Sequence, residues 1–563
     1  MAKKARLRSC ILLLVFIIPF TLSGSATLAD SIPDEQFDGL GNGYQYGTPG
    51  NGYLSMWFTD SDVSPMPPSI TAVTPGIGAI FPKKCSSLSD PICLKEQFIE
   101  VNTQFPVCAQ YKVKNCIQDI WAVDKTGLRI EGVFVREIKG MANPSFTESV
   151  EFAIPQASLP QIVRFPTLMG YENQDFLLTA SLKGAQQVNI NTLTQNDRQI
   201  EIFFHAVIVE PASVKLETGA TNWIKFAVDN KKYNSCVAIG EGDCAKPVAL
   251  PSGIRFGTKI RSSKNISTWL ESRSKNPLVI VEKNSDGYTT SLEGEPVIIP
   301  SISGGGDFIS LPVELRNRYP EADPGKLNSH ITWGKASARQ GTTTLNDLKL
   351  WLPYLGEKAT VMPTAWSFRT LGVLASSQLK SEPYSSCSNQ SSTDLLGMVS
   401  SNATAFSSGP PTFNSESASL DYQIAAPHLS SKSEVFKGSY SLVMNSKFAR
   451  CIYKLTNAPV KATVSVVNSN GQNQVATESV SENGEWIRLS VEGFTFSSPT
   501  VRVKLTQEIT QDLGKQPETV VKNTSKAPSQ SVRKTISCQK GKVVKRVNAI
   551  NPKCPSGYKK VLN

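Results

Sequence analysis

The chain contains three histidines, His205, His330 and His428, which are the side chains best suited to act as a general base near neutral pH. A serine, a histidine and an acidic residue can assemble a nucleophilic triad from distant positions, so spacing alone cannot identify one. The sequence lacks a GxSxG segment, an HExxH segment and a phosphate-binding loop. His205 lies in an apolar run, which favours a structural histidine within a sheet. We therefore assign no catalytic residues.

Pairs of carboxylates are the second kind of chemistry to consider, because glycosidases need two at a fixed separation. With 47 acidic residues, the sequence offers no way to choose a pair. Asp60 with Asp62, and Asn284 with Asp286, carry the oxygen ligands that calcium prefers, but neither group forms a twelve-residue loop. We interpret both as turns. The segment SGGGDF, residues 303–308, is interpreted as a flexible connection, because without a following helix it cannot bind a dinucleotide.

Cysteine is the third reactive residue type, and its count indicates disulfides. Eleven cysteines are present, and ten remain if Cys10 belongs to a cleaved leader. Pairing by proximity predicts the bridges Cys85–Cys93, Cys108–Cys116, Cys236–Cys244, Cys387–Cys451 and Cys538–Cys554, although the first four cysteines could also connect in other ways. Zinc would require more closely spaced Cys or His ligands. We therefore expect structural disulfides and no metal or other cofactor.

A leader is indicated by the first 29 residues. Four basic residues precede an apolar run from Ile11 to Leu22, and small residues follow it. This order is typical of a secretory signal peptide, with cleavage predicted after Ala26 or Ala29. The run is too short for a spanning helix, and no later run approaches spanning length. We expect a secreted or cell-surface protein without a transmembrane segment in the mature chain; an uncleaved N-terminal anchor is the alternative.

The positive charge is concentrated at the C-terminus. The formal charge is +11, and removing the four basic residues of the leader lowers it to +7. Residues 531–563 hold +9 and no acidic residue, which leaves the rest of the mature chain near −2. The basic residues are Arg533, Lys534, Lys540, Lys542, Lys545, Arg546, Lys553, Lys559 and Lys560. Because export removes nucleic acid as a partner, we expect attachment to an anionic cell-wall polymer, a glycan or lipid headgroups; a solvated tail is the alternative.

Alternating apolar residues and turn sequences predict a mainly β, multidomain protein with β-sandwich-like domains, local disulfides and few helices. Residues 85–250 and 251–384 are predicted as β-rich regions, the second with a short helix at 344–355 that Pro353 interrupts. Residues 385–507 alternate most clearly, including Cys451, Tyr453 and Leu455, and are predicted to form a β-sandwich. Residues 30–84 are predicted to be irregular because Gly and Pro are frequent, 508–530 is a linker, and 531–563 is a basic, disulfide-bonded module.

The terminal segment CQKGKVVKRVNAINPKCPSGYKK, residues 538–560, resembles a C-terminal module of uncharacterised secreted proteins of freshwater actinobacteria. The sandwich that precedes it is similar to a domain that often accompanies that module. The resemblance covers about a third of the chain and implies no activity, ligand or catalytic residue. It implies a shared layout for delivery to the surface, with variable front domains.

Three functions fit these observations. The first is a non-enzymatic surface protein that binds a glycan or another envelope component, or acts as an adhesin. The second is an extracellular polysaccharide hydrolase with an accessory sandwich. The third is a structural envelope component. Because sandwiches serve many tasks, fold alone does not decide among them, and we expect the non-enzymatic binding protein.

Overall fold

The computed structural model describes residues 53–60, 68–73, 83–91, 95, 98–139, 146–187, 198–212, 216–218, 224–226, 236–240, 242–320, 323, 332–336, 342–371, 378–388, 395–407, 409–456, 460–467, 473–474, 477–496, 500–507, 534–540, 543–549, 554 and 559–561. The predicted signal peptide and the linker 508–530 lie outside the described residues. The structure is mainly β, as the sequence predicts. It divides into two units, Met1–Glu508 and Ile509–Asn563.

The strands of the first unit are β1 (Tyr53–Phe58), β2 (Ser69–Val73), β3 (Lys83–Cys85), β4 (Phe98–Gln104), β5 (Cys116–Val123), β6 (Arg129–Glu131), β7 (Val133–Glu137), β8 (Gln161–Arg164), β9 (Asp175–Gln187), β10 (Arg198–Pro211), β11 (Leu216–Thr218), β12 (Ile224–Phe226), β13 (Ala238–Ile239), β14 (Asp243–Val248), β15 (Arg255–Ser262), β16 (Trp269–Arg273), β17 (Lys275–Asn284), β18 (Gly287–Glu295), β19 (Val297–Ile298), β20 (Ile302–Asp307), β21 (Thr332–Ala336), β22 (Thr364–Ala365), β23 (Ser367–Thr370), β24 (Gly397–Ser401), β25 (Ala405–Phe406), β26 (Thr412–Asn414), β27 (Ser419–Ala425), β28 (Lys437–Asn445), β29 (Val460–Val467), β30 (Asn473–Gln474), β31 (Thr477–Asn483), β32 (Trp486–Thr495) and β33 (Thr500–Gln507). Its described α-helices are α1 (Val313–Arg318), α2 (Thr342–Leu355), α3 (Tyr384–Cys387) and α4 (Ser446–Tyr453). None of the described helices has the length and apolar character needed to cross a membrane.

The largest sheet, called the main sheet below, has the order β3-β2-β4-β9-β10-β23-β16-β24-β28-β32-β31, with β14, β13, β8 and β7 attached beside this path. Strands from both sides of the boundaries predicted at 250 and 384 share it. In β10, Ile200, Ile202 and Phe204 are buried in an apolar core, called the first core below. Because side chains alternate along a strand, Glu201 and Phe203 belong to the opposite face. That face carries most of the buried charge described below.

Two further sheets cover the main sheet. The five-strand sheet, β17-β18-β15-β5-β6, places Ile120, Phe256 and Leu292 in the same core as Phe204 of the main sheet. The sandwich sheet, β25-β27-β33-β29-β30 with β26 beside β27, encloses a second core with β24, β28 and β32. This second pair of sheets is the sandwich-like arrangement that alternation in 385–507 predicts.

A small sheet, β20-β1-β21, contributes a third core together with α1 and α2. The prediction that 30–84 is irregular is therefore wrong for β1 and β2. Leu54, Met56 and Phe58 alternate into the third core, and β1 pairs on both edges, which supplies the backbone hydrogen bonds that offset its Gly-rich flank. The remaining described strands pair as β11 with β12 and β19 with β22.

The prediction that SGGGDF is a flexible connection is also wrong, because these residues form most of β20, which pairs with β1. A Cβ atom on Gly304 would lie 2.5 Å from Cδ2 of Leu355. One on Gly306 would lie 2.6 Å from the hydroxyl of Tyr354. The glycines therefore allow α2 to pack directly on the strand. Helix α2 continues through Pro353, close to its C-terminal end, rather than stopping before it.

The alternation of Cys451, Tyr453 and Leu455 predicts a strand, but the first two residues belong to helix α4. The helix begins because the side-chain oxygen of Asn445 accepts hydrogen bonds from the backbone N–H groups of Lys447 and Phe448. Local capping therefore decides the conformation of this segment over the two-residue period.

The second unit contains β34 (Lys534–Lys540), β35 (Val543–Ala549) and β36 (Lys559–Val561). They form an antiparallel sheet in the order β35-β34-β36, called the terminal sheet below. The basic module that the sequence predicts therefore contains regular structure within its described residues.

Candidate functional site

A cluster of buried charges lies on the face of the main sheet opposite the first core. Cross-strand register aligns Glu201 of β10, Arg369 of β23 and Glu271 of β16 in one row. Arg273 lies two residues after Glu271 and therefore shares its face. Asp60, which follows β1, completes the set. We call these five residues the buried charge cluster.

Asp60 joins the two arginines. Its Oδ2 accepts a hydrogen bond from Nε of Arg273 at 2.6 Å, and its Oδ1 accepts one from Nη2 of Arg369 at 2.7 Å. The side chains of Asp60, Arg273 and Arg369 are 3%, 1% and 4% exposed. Arg273 also donates to the carbonyl oxygens of Ser401 and Ala403. Asp60 is therefore a buried ion-pair residue, and because Asp62 lies outside the described residues, the interpretation of the two as a turn stays a prediction.

The two carboxyls Asp60 and Glu271 respond in opposite ways to the same burial. Burial raises the pKa of Asp60, but the charges and hydrogen bonds of Arg273 and Arg369 together lower it by more. The pKa of Asp60 therefore lies below its ordinary value. Burial raises the pKa of Glu271 above its ordinary value, although the N–H of Gly409 and the two arginines oppose this shift. Divergent pKa values can mark an acid and base pair. Here both carboxyls are buried and accept hydrogen bonds from protein groups. This arrangement connects parts of the fold and differs from a substrate site, in which carboxyls face solvent.

The described histidines also have structural contacts. His205 is stacked against Phe203 with ring centroids 6.3 Å apart, and Nδ1 of His428 lies 3.0 Å from the carbonyl oxygen of Phe496. His330 lies outside the described residues. Within the described ranges, no group of three or more His, Cys, Asp or Glu side chains is arranged to hold a metal ion.

Three disulfides of the first unit have both cysteines among the described residues, and their partners are the ones that sequence proximity predicts. They join Cys108 to Cys116, Cys236 to Cys244 and Cys387 to Cys451. Cys85 and Cys554 are also disulfide-bonded. Cys93 and the side chain of Cys538 lie outside the described part of the chain, so the bridges Cys85–Cys93 and Cys538–Cys554 stay predictions.

The terminal sheet arranges the predicted envelope-binding residues unequally. Because paired residues of antiparallel strands share a face, and residues alternate along each strand, the register assigns four lysines to one face. This face, called the basic face below, carries Lys534, Lys540, Lys545 and Lys560 and also apolar residues, namely Ile536, Val543, Val547 and Ala549. Arg546 and Lys559 belong to the other face, and Arg533, Lys542 and Lys553 lie outside the described residues.

The centre of the basic face is the row Lys545, Cys538 and Lys560, on three adjacent strands. Strands are about 4.8 Å apart, so the two lysine backbones are separated by roughly 10 Å. Residues 531–563 contain no aspartate or glutamate, so the module itself supplies no acidic side chain to pair with these lysines.

Comparison of the chain with protein-family models, with curated proteins and with solved structures finds no match. Function is therefore inferred from the residues and the geometry above. Sequence reasoning located the basic residues of the terminal sheet but missed the buried charge cluster. The cluster has one sign in the local sequence: the strand Trp269–Arg273 (WLESR) is fully buried and contains two charged residues two positions apart.

Proposed function

We propose that this protein is a non-enzymatic, secreted or cell-surface binding protein whose C-terminal module attaches it to an anionic polymer of the cell envelope. The observation that carries the proposal is the register of the terminal sheet, which assigns four lysines and no acidic residue to one face. The predicted signal peptide, the disulfides of the first unit and the resemblance of the terminal segment to modules of secreted proteins support the location.

A polymer suits this arrangement better than a small anion. One lysine contributes little alone, because water and salt screen a surface charge. A chain of repeated anionic groups can contact several lysines, and every contact after the first is intramolecular, which multiplies the weak contributions. Lysine is a compact, hydrated point charge that tolerates varied phosphate or carboxylate geometry. The module is therefore expected to recognise charge density rather than one defined sugar.

The buried charge cluster supports the non-enzymatic part of the proposal. Asp60 and Glu271 are two described carboxyls whose pKa values shift in opposite directions within one network, yet each side chain is buried and held by protein donors. A polysaccharide hydrolase would need two carboxyls facing an open cleft. The cluster instead joins β1 to the main sheet.

The test uses the full chain and two variants with equal loss of charge. Lys545→Gln with Lys560→Gln removes two charges from the basic face, whereas Arg546→Gln with Lys559→Gln removes two from the other face. Cells producing each protein are fractionated into wall, membrane and medium at increasing salt. We expect the first variant to leave the wall at a lower salt concentration than the wild type, and the second to behave nearly as the wild type.

Equal retention of the wild type and both variants would refute attachment through the basic face. Equal release of both variants would show that net charge matters and that the face does not. Partition into the membrane fraction, reproduced with vesicles containing anionic lipid but not with purified wall, would replace the polymer by lipid headgroups.

A further inference from the structure

The contacts that position strand β1 involve residues that are far away in the sequence. Its backbone pairs with β20 on one edge and with β21 on the other. Asp60, just after the strand, contacts Arg273 and Arg369, which lie 213 and 309 positions later. The next strand along the chain, β2, belongs to a different sheet. The position of β1 is therefore determined by a site that later parts of the chain build.

That site, called the strand slot below, is the gap between β20 and β21 that β1 fills, together with the two arginines that bind Asp60. It selects an extended segment, because both backbone edges of β1 are paired. It selects alternating apolar side chains, since Leu54, Met56 and Phe58 are 0%, 6% and 0% exposed in the third core. A shift by one residue would move these side chains out of the core and the carboxylate of Asp60 away from the arginines. The slot therefore fits the segment 53–60 in one register.

We infer that β1 of one copy also fills the strand slot of a second copy, so that copies of this chain associate by exchanging this strand. Along the chain, β1 connects to the main sheet through the residues between Asp60 and Pro68, so exchange needs one crossing between copies. An exchanged strand makes the same pairings and ion pairs as in its own chain, and the exchange costs mainly the loss of effective concentration. Crowding of copies on one polymer would favour exchange, but exchange does not depend on how the protein is attached.

Thr59 and Ser301 provide a reporter of where β1 lies. Oγ of Ser301 donates a hydrogen bond to Oγ1 of Thr59 at 3.0 Å, and the two residues are 0% and 6% exposed respectively. Cysteines at these two positions would therefore lie close enough to form a disulfide. One full-length chain carries Thr59→Cys, another carries Ser301→Cys, and the two chains have different affinity tags. The same cells export both chains into an oxidising compartment, protein that retains both tags is purified, and its disulfide-linked peptides are identified by mass spectrometry.

We expect peptides that link the two substituted positions of different chains, in an amount that increases with the level of expression. Thr59→Cys with Ser301→Cys in a single chain should also give a bridge within that chain, which verifies the position of β1 in its own slot. Asp286→Cys paired with Ser301→Cys is the matched control for chance oxidation, because the Asp286 side chain is 82% exposed. This control should give no linked peptide.

Asp60→Asn distinguishes strand exchange from other kinds of association, because it should act in opposite directions in the two chains. In the chain with Thr59→Cys it weakens the donated strand and should lower the linked fraction about tenfold, corresponding to roughly 1.4 kcal/mol. In the chain with Ser301→Cys it weakens the competing strand of that chain and should raise the linked fraction. Absence of linked peptides between chains, absence of a bridge in the double variant, or the same effect of Asp60→Asn in either chain would overturn the inference. The Lys545 and Lys560 variant tests attachment separately, because it leaves β1 and the strand slot intact.

Discussion

Replacing Asp60 by Asn tests whether the buried charge cluster fastens β1 to the main sheet. The substitution preserves shape but removes the charge that both arginines contact at 2.6 and 2.7 Å. An amide can still accept the hydrogen bond from Arg369, but its NH₂ group would face the Nε–H of Arg273. Removing one partner of a buried ion pair costs about 3 to 5 kcal/mol, because the remaining charge stays buried. We expect a loss near the middle of that range.

Urea unfolding followed by tryptophan fluorescence is a suitable assay. Trp366, Trp269 and Trp351 are 2%, 0% and 0% exposed, and they belong to the first, second and third cores respectively. Each core therefore contains its own buried reporter. Loss of the contacts between Asp60 and the two arginines should expose Trp351 at a lower urea concentration than Trp269 or Trp366, because the third core includes β1.

Asp286→Asn is the matched control, because the Asp286 side chain is 82% exposed and lies 4.0 Å from Nζ of Lys114. It should change the unfolding free energy by less than about 0.5 kcal/mol. If Asp60→Asn and Asp286→Asn shift the midpoint equally, the cluster does not stabilise the first unit, and the reasoning from burial and pairing is wrong.

Three further outcomes are expected. Glu271→Gln should raise the stability of the protein at neutral pH. The pKa of Glu271 in the folded state is above its ordinary value, so the stability that this group contributes is present below pH 4.5 and is lost as the pH rises through the folded-state pKa. The urea midpoints of wild type and variant should therefore converge at low pH, and a difference that stays constant with pH would contradict this. Replacing Cys387 and Cys451 by Ser should cost roughly 4 kcal/mol, since the bridge closes a loop with a sequence separation of 64, and reducing agent should then have little further effect on the sandwich transition. Gly257→Ala should cost about 1 to 3 kcal/mol, because its Cβ would lie 2.3 Å from the ring of Trp121. The near-ultraviolet circular dichroism should change as the ring moves, and unchanged stability would refute that packing.

Local patterns predict local structure well. Asn483 with Gly484 predicts the hairpin of β31 and β32, and Gly484 has the positive φ of 59° that such a turn requires. The turn before Tyr288 likewise joins β17 and β18, with Gly287 at φ 134°. In both cases, the flanking residues alternate. The two signals agree, so the hairpins follow from sequence alone.

Partners that are distant in sequence could not be predicted. Asp60 and Arg369 are separated by 309 residues, and no local rule connects them. The strand β20 was missed for a related reason: its glycines have no intrinsic strand preference, and the pairing with β1 imposes the conformation.

The chain uses its two basic residue types differently. Inside the first unit, buried arginines connect segments that are distant in sequence. Arg273 and Arg369 both donate hydrogen bonds to Asp60, and Arg198 donates to the carbonyl oxygens of Ala153 and Asn265. A delocalised, planar cation is the group that tolerates such burial. The terminal module holds seven lysines and two arginines, the choice expected for hydrated contacts with a flexible anionic chain.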